Sequence, residues 1–169
     1  MDKKDYPALG FRFKVTSIES PEGPGITFSK KKIRQGSEES YFQSISGIKA
    51  TAGQEKVAFS AGMNKRQYKL PTATTYDDLI LTRGIIKSSS DLGDWCRDFL
   101  LTHRNKYEVK RRIINVMLLG QDKDDILTVW SFFDCYPMEL EIGAFNSDKS
   151  EIAIETLKLS YSYFSQDFS

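Results

Sequence analysis

The fold is decided by the stretch Leu79-Ile80-Leu81-Thr82-Arg83-Gly84-Ile85-Ile86 and by Ser88-Ser89-Ser90-Asp91, which follows it. The first segment is a compact run of leucine and β-branched residues, which is typical of a strand. The serines and the aspartate carry side-chain oxygens that can cap the first turn of a helix. Apolar residues then recur at helical spacing on one face, at Leu92, Trp95, Phe99 and Leu100. The sequence therefore predicts a strand followed by a helix that packs against a sheet.

Five other segments are predicted to be strands. The first and the last alternate apolar with polar or small residues, as expected when one face of a strand is buried. Ile113–Leu119 is apolar almost throughout, which predicts burial on both faces. Pro137 is predicted to end the aromatic-rich strand before it. The segments are Leu9–Thr16, Tyr41–Lys49, Ile113–Leu119, Ile126–Cys135 and Glu151–Tyr163.

Two segments are predicted to be irregular. Residues 17–40 contain Pro21-Glu22-Gly23-Pro24-Gly25, which cannot sustain a strand ladder, so an extended connection is expected there. Residues 49–69 are rich in Gly, Ala, Thr and Lys without a core pattern, which is typical of a long mobile loop. With one helix among several strands and no second boundary, the chain is predicted to be a single, mainly β, α+β domain over residues 1–169.

The composition indicates a globular protein without a strong overall charge. Of 169 residues, 40% are hydrophobic, which is enough for a sizeable core. The 24 Lys and Arg residues against 23 Asp and Glu give a net charge of +1, so no whole-molecule field attracts nucleic acid or an acidic membrane. No segment approaches the roughly 18 apolar residues of a membrane span, and the N-terminus lacks an apolar signal segment. Assembly in the cytoplasm without a membrane anchor is therefore expected.

Residues that commonly carry catalysis or metal binding are sparse. Cys96 and Cys135 show neither CxxC nor Cys/His spacing, so buried free thiols are expected in place of a disulfide or a zinc site. The single histidine, His103, is explained by a favourable interaction with a helix C-terminus. The aspartates of residues 122–125 lack the glycine and the distal glutamate of a calcium loop. No catalytic, cofactor-binding or metal site is predicted.

Two basic clusters provide an alternative function. They comprise Lys30, Lys31, Lys32 and Arg34, and then Arg104, Lys106, Lys110, Arg111 and Arg112. Such clusters can neutralise phosphates, so the alternative is a small β-rich module that contacts nucleic acid. Acidic residues at Glu38, Glu39 and Glu108 adjoin or interrupt the clusters, and exposed aromatics do not alternate with them. A solvated surface or a subunit contact is therefore favoured.

Several pieces in a fixed order resemble one protein family. They are Phe11-Arg12-Phe13-Lys14-Val15, Phe42-Gln43-Ser44-Ile45-Ser46-Gly47-Ile48, the block from Lys69-Leu70-Pro71 to Ile85, Trp95, the segment Trp130 to Pro137, and Ile152-Ala153-Ile154-Glu155-Thr156-Leu157-Lys158-Leu159. Each piece is weak alone, but the ordered set resembles the tail-tube proteins of contractile phage tails and contractile injection systems. This family is similar in fold to the type VI secretion tube protein. Residues 17–40 depart from the common pattern by their length.

The resemblance implies a structural protein. It implies two packed antiparallel sheets with one short helix, hexameric rings that stack into a hollow tube, and no cofactor. The implied partners are further copies of the chain, a sheath protein, baseplate and spike proteins, and a cargo of DNA or protein in the lumen. The implied location is a phage tail or an injection particle. The loop at 49–69 is implied to reach a neighbouring ring through Gly53, Gln54, Glu55, Lys56, Gly62, Asn64 and Lys65.

The alternation in the first and last strands predicts a channel wall. Leu157 and Leu159 form the apolar side of the last strand, so the residues between them must face the other way. In a closed tube that polar side is expected to line the lumen. The predicted lumen-facing residues are Arg12, Lys14, Thr16, Thr156, Lys158, Ser160 and Ser162. The predicted core residues are Trp95, Phe99, Leu157 and Leu159.

Overall fold

Ten strands and one α-helix lie within the residues that the computed structural model describes, which are 12–20, 40–61, 64–85, 90–102, 110–120, 126–143 and 153–168. The strands are β1 (Arg12–Glu19), β2 (Ser40–Phe42), β3 (Ser44–Ser46), β4 (Ala50–Ala61), β5 (Asn64–Tyr76), β6 (Leu79–Gly84), β7 (Arg112–Leu119), β8 (Ile126–Ile142), β9 (Ile154–Ser160) and β10 (Tyr163–Phe168). The helix α1 (Asp91–Arg97) continues into a π-turn at Asp98–Thr102. The predicted mainly β fold class is confirmed.

Eight of the strands form one antiparallel sheet whose ends meet. The hydrogen-bonded order is β2, β1, β7, β8, β9, β6, β3, and β10 adds to β8. The two ends of this path, β2 and β3, are separated along the chain by Gln43 alone. The Gln43 N–H donates to the Thr82 carbonyl oxygen at 2.9 Å. The sheet therefore closes into a barrel, which is the barrel-like form of two packed sheets that the resemblance implied.

The chain changes neighbours at Gln43, where the sequence predicts one strand over residues 41–49. Phe42 in β2 pairs with β1, whereas Ile45 in β3 pairs with β6. The prediction of one continuous strand is wrong because a single straight strand cannot pair with both sides of the opening. The bend between β2 and β3 closes the barrel.

Strand β8 passes through Pro137, so the prediction that this proline ends the strand is wrong. The register shifts between Pro137 and Glu139, which makes Met138 the extra residue of a bulge. A bulge tolerates a residue without a backbone donor, because the ladder is already interrupted there. Up to Cys135 β8 pairs with β7 and β10, and over residues 136–142, across the bulge, it pairs with β9. Strand β8 therefore connects the part of the barrel that contains β1 and β7 to the part that contains β9 and β6.

Residues 49–69 are not a loop. Strands β4 and β5 form a separate two-stranded ladder that begins at Ala50↔Tyr76 and ends at Ala61↔Asn64, and Pro71 lies within it. We call it the β4–β5 hairpin. The ladder shifts register at Gly53, where a Cβ atom would lie 2.1 Å from Thr72 Oγ1, so a larger residue at this bulge would require the Thr72 side chain to move. Of the predicted extended connection at 17–40, residues 21–39 lie outside the described residues.

Helix α1 begins as predicted. Ser90 is the N-cap, and its Oγ accepts a hydrogen bond from the Gly93 N–H at 3.1 Å. Leu92 and Trp95 are buried in the barrel's core cluster together with Cys96. Phe99 was predicted to be a core residue, but it lies beyond α1 in the π-turn and is only half-buried.

The barrel interior is filled by alternate residues of its strands. Leu79 and Leu81 of β6 and Leu157 and Leu159 of β9 are fully buried, as predicted for the last two. Strand β7 is buried from Ile113 to Met117 without alternation, which confirms burial on both faces. Phe132 joins an aromatic cluster with Tyr161 and Phe164, whose ring centroids lie 4.9 and 5.6 Å from its own.

Both cysteines are free and buried, as predicted. Burial raises the pKa of the Cys96 thiol to about 12, and burial likewise raises the pKa of the Cys135 thiol to about 12. Because the thiolate is the reactive form, neither group is expected to react with thiol reagents while the barrel is folded.

Candidate functional site

One outer face of the barrel is built mostly from polar side chains, in rows that cross four adjacent strands, β8, β9, β6 and β3. Cross-strand pairing and the two-residue period place alternate residues of these strands on the outside. The first row is Ser44, Thr82, Thr156 and Glu141, and the second row is Ser46, Ile80, Lys158 and Glu139. Together with Ser160 we call these residues the polar wall. The alternate side chains fill the barrel interior.

The polar wall combines small hydroxyl groups with an excess of carboxylates. Lys158 Nζ lies 3.6 Å from Asp78 Oδ2 and 3.9 Å from Glu139 Oε2, and all three side chains are substantially exposed. Exposed pairs of this kind contribute little to stability, typically about 0–1 kcal/mol. A shallow depression of about 170 Å³ lies between Ile80, Glu139, Glu141, Thr156 and Lys158. The wall is therefore hydrophilic, shallow and weakly acidic.

The structure separates the two groups of predicted lumen-facing residues. Thr156, Lys158 and Ser160 lie on the polar wall. Ser162 does not, because β9 ends at Ser160 and the Ser162 N–H donates to the Phe133 carbonyl oxygen at 3.0 Å. Its predicted position on the same strand face is wrong.

The polar side of β1 also lies elsewhere, so the predicted grouping of Arg12, Lys14 and Thr16 with the last strand is wrong. Around the barrel, β7 and β8 separate β1 from β9 on one path, and β2, β3 and β6 separate them on the other. The two strands are therefore on opposite sides. In addition, Thr16 is only 3% exposed and lies beside the buried Asn115, whose Nδ2 donates to Thr16 Oγ1 at 3.5 Å.

The β4–β5 hairpin has two chemically different faces. On one face, Val57 lies opposite Tyr68 and Glu55 lies opposite Leu70. Tyr68 and Leu70 are 49% and 47% exposed, which is high for large apolar side chains. On the other face, Lys56 lies directly opposite Lys69. Like charges in a cross-strand pair are unfavourable, so this face favours an acidic neighbour.

The residues predicted for contact with a neighbouring ring lie mostly on this hairpin. Their contacts with another subunit stay a prediction. Gly53, Gln54, Glu55 and Lys56 are on β4, Asn64 and Lys65 are on β5, and Gly62 lies outside the described residues.

The base of the hairpin is fixed to the barrel. Tyr161 OH donates to the Gly47 carbonyl oxygen at 3.2 Å, and the Tyr76 and Tyr161 ring centroids are 5.8 Å apart. Gly47 has a φ of +86°, and a Cβ atom there would lie 1.8 Å from the Asp78 carbonyl oxygen. Glycine alone fits this conformation and this close approach. The hairpin therefore projects from a rigid support.

Behind the polar wall, a buried ion pair connects the wall strands to α1. Arg83 of β6 and Glu155 of β9 are cross-strand partners with side chains 5% and 4% exposed, and Arg83 Nη2 lies 2.7 Å from Glu155 Oε2. Arg97 of α1 donates to Glu155 Oε1 at 2.8 Å and to Asp94 Oδ1 at 2.9 Å. Each carboxylate oxygen of Glu155 thus has a guanidinium partner.

A second ion pair connects the start of α1 to β7. Arg112 donates to both carboxylate oxygens of Asp91, and Ser17 donates to Asp91 Oδ2 at 3.0 Å. Partial burial alone raises the pKa of Asp91, but the hydrogen bonds from Arg112 and Ser17 and the charge of Arg112 outweigh it, so the pKa lies below its ordinary value. The Arg112 guanidinium also lies 5.1 Å from the Trp95 ring centroid.

The structure gives limited support to the alternative that the two basic clusters bind nucleic acid. Arg112 is engaged with Asp91, whereas Lys110 and Arg111 are exposed. Residues 30–34, Arg104 and Lys106 lie outside the described residues. The described part of the second cluster is therefore partly committed to an internal contact.

Sequence reasoning missed the acidic half of the wall and the buried ion pair. Glu139 and Glu141 follow Pro137, where β8 was predicted to have ended. The two-residue period of the strands does predict that Arg83 and Glu155 face inward. Arg83 follows Leu79 and Leu81 on the same side of its strand, and Glu155 precedes Leu157 and Leu159 in the same way.

The architecture defines a class: an antiparallel barrel with one helix, one hydrophilic outer wall and a projecting hairpin. The model of the T4-like virus tail tube protein gp19 family matches residues 10–165. The chain belongs to this family. No match was found among curated protein sequences. In the part of the chain that the structure describes, no helix is long and apolar enough to cross a membrane.

Several solved structures share this fold at low sequence identity. A chain of the anti-feeding prophage baseplate has a TM-score of 0.72 at 21% identity, covering 97% of this chain and 97% of that chain. A chain of the PVC extracellular contractile injection system, in its extended sheath–tube complex, has a TM-score of 0.70 at 19% identity, covering 98% and 94%. Hcp1 of Flavobacterium johnsoniae has a TM-score of 0.51 at 13% identity, covering 93% and 95%.

Proposed function

We propose that this tail-tube family member is a single-domain structural subunit whose copies form hexameric rings that stack into a hollow tube, with the polar wall of β8, β9, β6 and β3 lining the lumen. Contraction of a surrounding sheath drives the tube through a target envelope. The subunit performs no catalysis and holds no cofactor. Its partners are further copies, a sheath protein, baseplate and spike proteins, and cargo within the lumen.

The observation that carries this proposal is the two-sided character of the wall sheet. Its inward side chains on β6 and β9 are buried leucines and one buried ion pair, while its outward side chains are mostly hydroxyls and charges arranged in rows. A conduit needs such a surface, because an apolar lumen would hold cargo by burying its exposed apolar groups. The acidic excess of Glu139 and Glu141 adds repulsion of anionic cargo from the wall, which favours sliding over binding.

Cysteine labelling tests the position of the wall. Cysteine substituted at Ser160 or Lys158 is expected to react with a small thiol reagent in assembled tubes and to resist a reagent wider than the bore. Mass spectrometry after labelling measures the modified fraction. The native thiols supply no background, because both are buried with a pKa raised to about 12. The same variants before assembly are the control and should react with both reagents. Equal labelling of intact tubes by the wide reagent places this face outside the lumen.

Shortening the β4–β5 hairpin tests its role in stacking. An isolated two-stranded hairpin is marginally stable in water, so one that exposes Tyr68 and Leu70 is expected to dock on a neighbour. Replacing residues 57–68 by Asn-Gly joins Lys56 to Lys69, which already pair, through a favoured two-residue turn. Negative-stain microscopy should then show rings but no filaments. The matched control is Gln67→Ala, which keeps the hairpin length and should still form filaments. Long filaments from the shortened chain contradict the role.

A further inference from the structure

The depression in the polar wall has a lining of mixed chemistry. Its volume is about 170 Å³, and it lies between Ile80, Thr156, Lys158, Glu139 and Glu141. Since one water occupies about 30 Å³ of the liquid, the depression has room for about six waters, or for one long side chain. Ile80 is the only apolar residue among those that define the polar wall. The depression therefore combines an aliphatic surface and a hydroxyl with two carboxylates.

The two carboxylates can accept a further cation. Lys158 Nζ lies 3.9 Å from Glu139 Oε2 and 3.6 Å from Asp78 Oδ2, and both distances exceed the range of a hydrogen bond. Glu141 is exposed and has no ion-pair partner within the described chain. Because each carboxylate offers about four acceptor positions, Lys158 leaves most of those around the depression open.

A basic side chain with an aliphatic stem fits this lining. Lysine and arginine bury their methylene groups on apolar surface while the charged end stays in water, so the stem would lie on Ile80 and the charged end near Glu139 and Glu141. Arginine fits better than lysine, because its planar guanidinium presents five donors and can serve two carboxylates at once. Phosphate groups are repelled by the same carboxylates, so a nucleic acid fits poorly.

We propose that the depression is a subsite for basic side chains, arginine above all, of an extended polypeptide carried in the lumen. This inference rests on the proposed function, which places the polar wall in the lumen and repeats the depression in every copy. Each contact is weak because its charged groups are exposed, but a repeated array of subsites adds many weak contacts. Such an array retains a basic segment and still lets it slide.

Binding of short peptides to assembled tubes tests the subsite. The probes are fluorescent oligo-arginine, oligo-lysine and oligo-glutamate of equal length, with oligothymidylate as the nucleic-acid probe. Sedimentation of the tubes measures the bound fraction. Oligo-arginine should bind most tightly, oligo-lysine less tightly, and the two anionic probes should stay in the supernatant. Binding should weaken as the salt concentration rises, because exposed charges are screened. Tighter binding of oligothymidylate than of oligo-arginine overturns the proposal.

Substitutions distinguish the depression from a general attraction to an acidic surface. Glu141→Gln keeps the shape of the side chain and should weaken oligo-arginine binding by about threefold or more. Ile80→Thr keeps the net charge and a β-branched residue but removes aliphatic surface, so it should also weaken binding, whereas general attraction predicts no change. Lys158→Gln removes the competing cation and should strengthen binding. The matched control is Glu19→Gln, an exposed position on β1 at the opposite side of the barrel, which should leave binding unchanged.

The outcomes separate this inference from the proposed function. Tubes that are seen by negative-stain microscopy but do not bind oligo-arginine overturn the subsite and leave the conduit standing. Unchanged binding in both Glu141→Gln and Ile80→Thr has the same meaning. A loss in Glu19→Gln equal to that in Glu141→Gln places the peptide outside the polar wall and also overturns the subsite. Failure of the unmodified protein to form tubes overturns both the conduit and the subsite.

Discussion

Replacing Glu155 by alanine is expected to lower the free energy of unfolding by about 3–5 kcal/mol, because it leaves a buried charge without its partner. The Arg83 side chain is 5% exposed, and its guanidinium reaches Glu155 through both Nε and Nη2. Removal of the carboxylate leaves the Arg83 charge at that depth without the group that compensates it. Denaturant unfolding of the subunit, monitored by tryptophan fluorescence, measures the change.

Two further variants identify burial as the cause. Asp94→Ala removes an exposed partner of Arg97 and should cost less than about 1 kcal/mol. The double variant Arg83→Met with Glu155→Leu removes both buried charges and should be more stable than Glu155→Ala, since an apolar pair needs no compensating charge. A loss below about 1 kcal/mol for Glu155→Ala, or a double variant less stable than it, contradicts the account.

Trp95→Ala is expected to cost about 3–5 kcal/mol, as large aromatic truncations in a core do. Trp95 is 7% exposed, packs in the main core cluster, and donates from Nε1 to the Lys110 carbonyl oxygen at 3.1 Å. The substitution also removes the ring beneath Arg112, so the contact between α1 and β7 weakens at the same time. Thermal or denaturant unfolding provides the measurement.

Phe99 supplies the comparison for that prediction. It is an aromatic residue of the same segment, yet it is half-buried in the π-turn. Phe99→Ala should therefore cost clearly less than Trp95→Ala, since less apolar area returns to water. Equal losses for the two variants contradict the packing of α1 described above.

Elements that bury one face within the chain were predictable from the sequence. The Ser90 cap, the apolar run of β7 and the alternation of Leu157 and Leu159 each reflect a local demand of the backbone or of the core. Each of these patterns involves residues close together in the sequence, and the structure contains the cap, the buried strand and the buried leucines that they predict.

The β4–β5 hairpin was not predictable by the same means. Among its residues with described burial, most are exposed, so no burial pattern marks the strands. Its alternation instead separates Val57, Tyr68 and Leu70 from Lys56 and Lys69. This pattern suits contact with a neighbouring subunit, but it gives only a weak indication of a strand when one subunit is considered alone. Likewise, the passage of β8 through Pro137 depends on a bulge, and local propensity alone favours a strand end there.

The two buried thiols have a consequence for the environments that the protein tolerates. Burial raises the pKa of both thiols to about 12, so very little thiolate is present at neutral pH and attack on a disulfide or on a peroxide is slow. No cross-link between Cys96 and Cys135 holds the barrel together, since both are free. No cysteine bond of the folded subunit is therefore expected to form or break between reducing and oxidising surroundings.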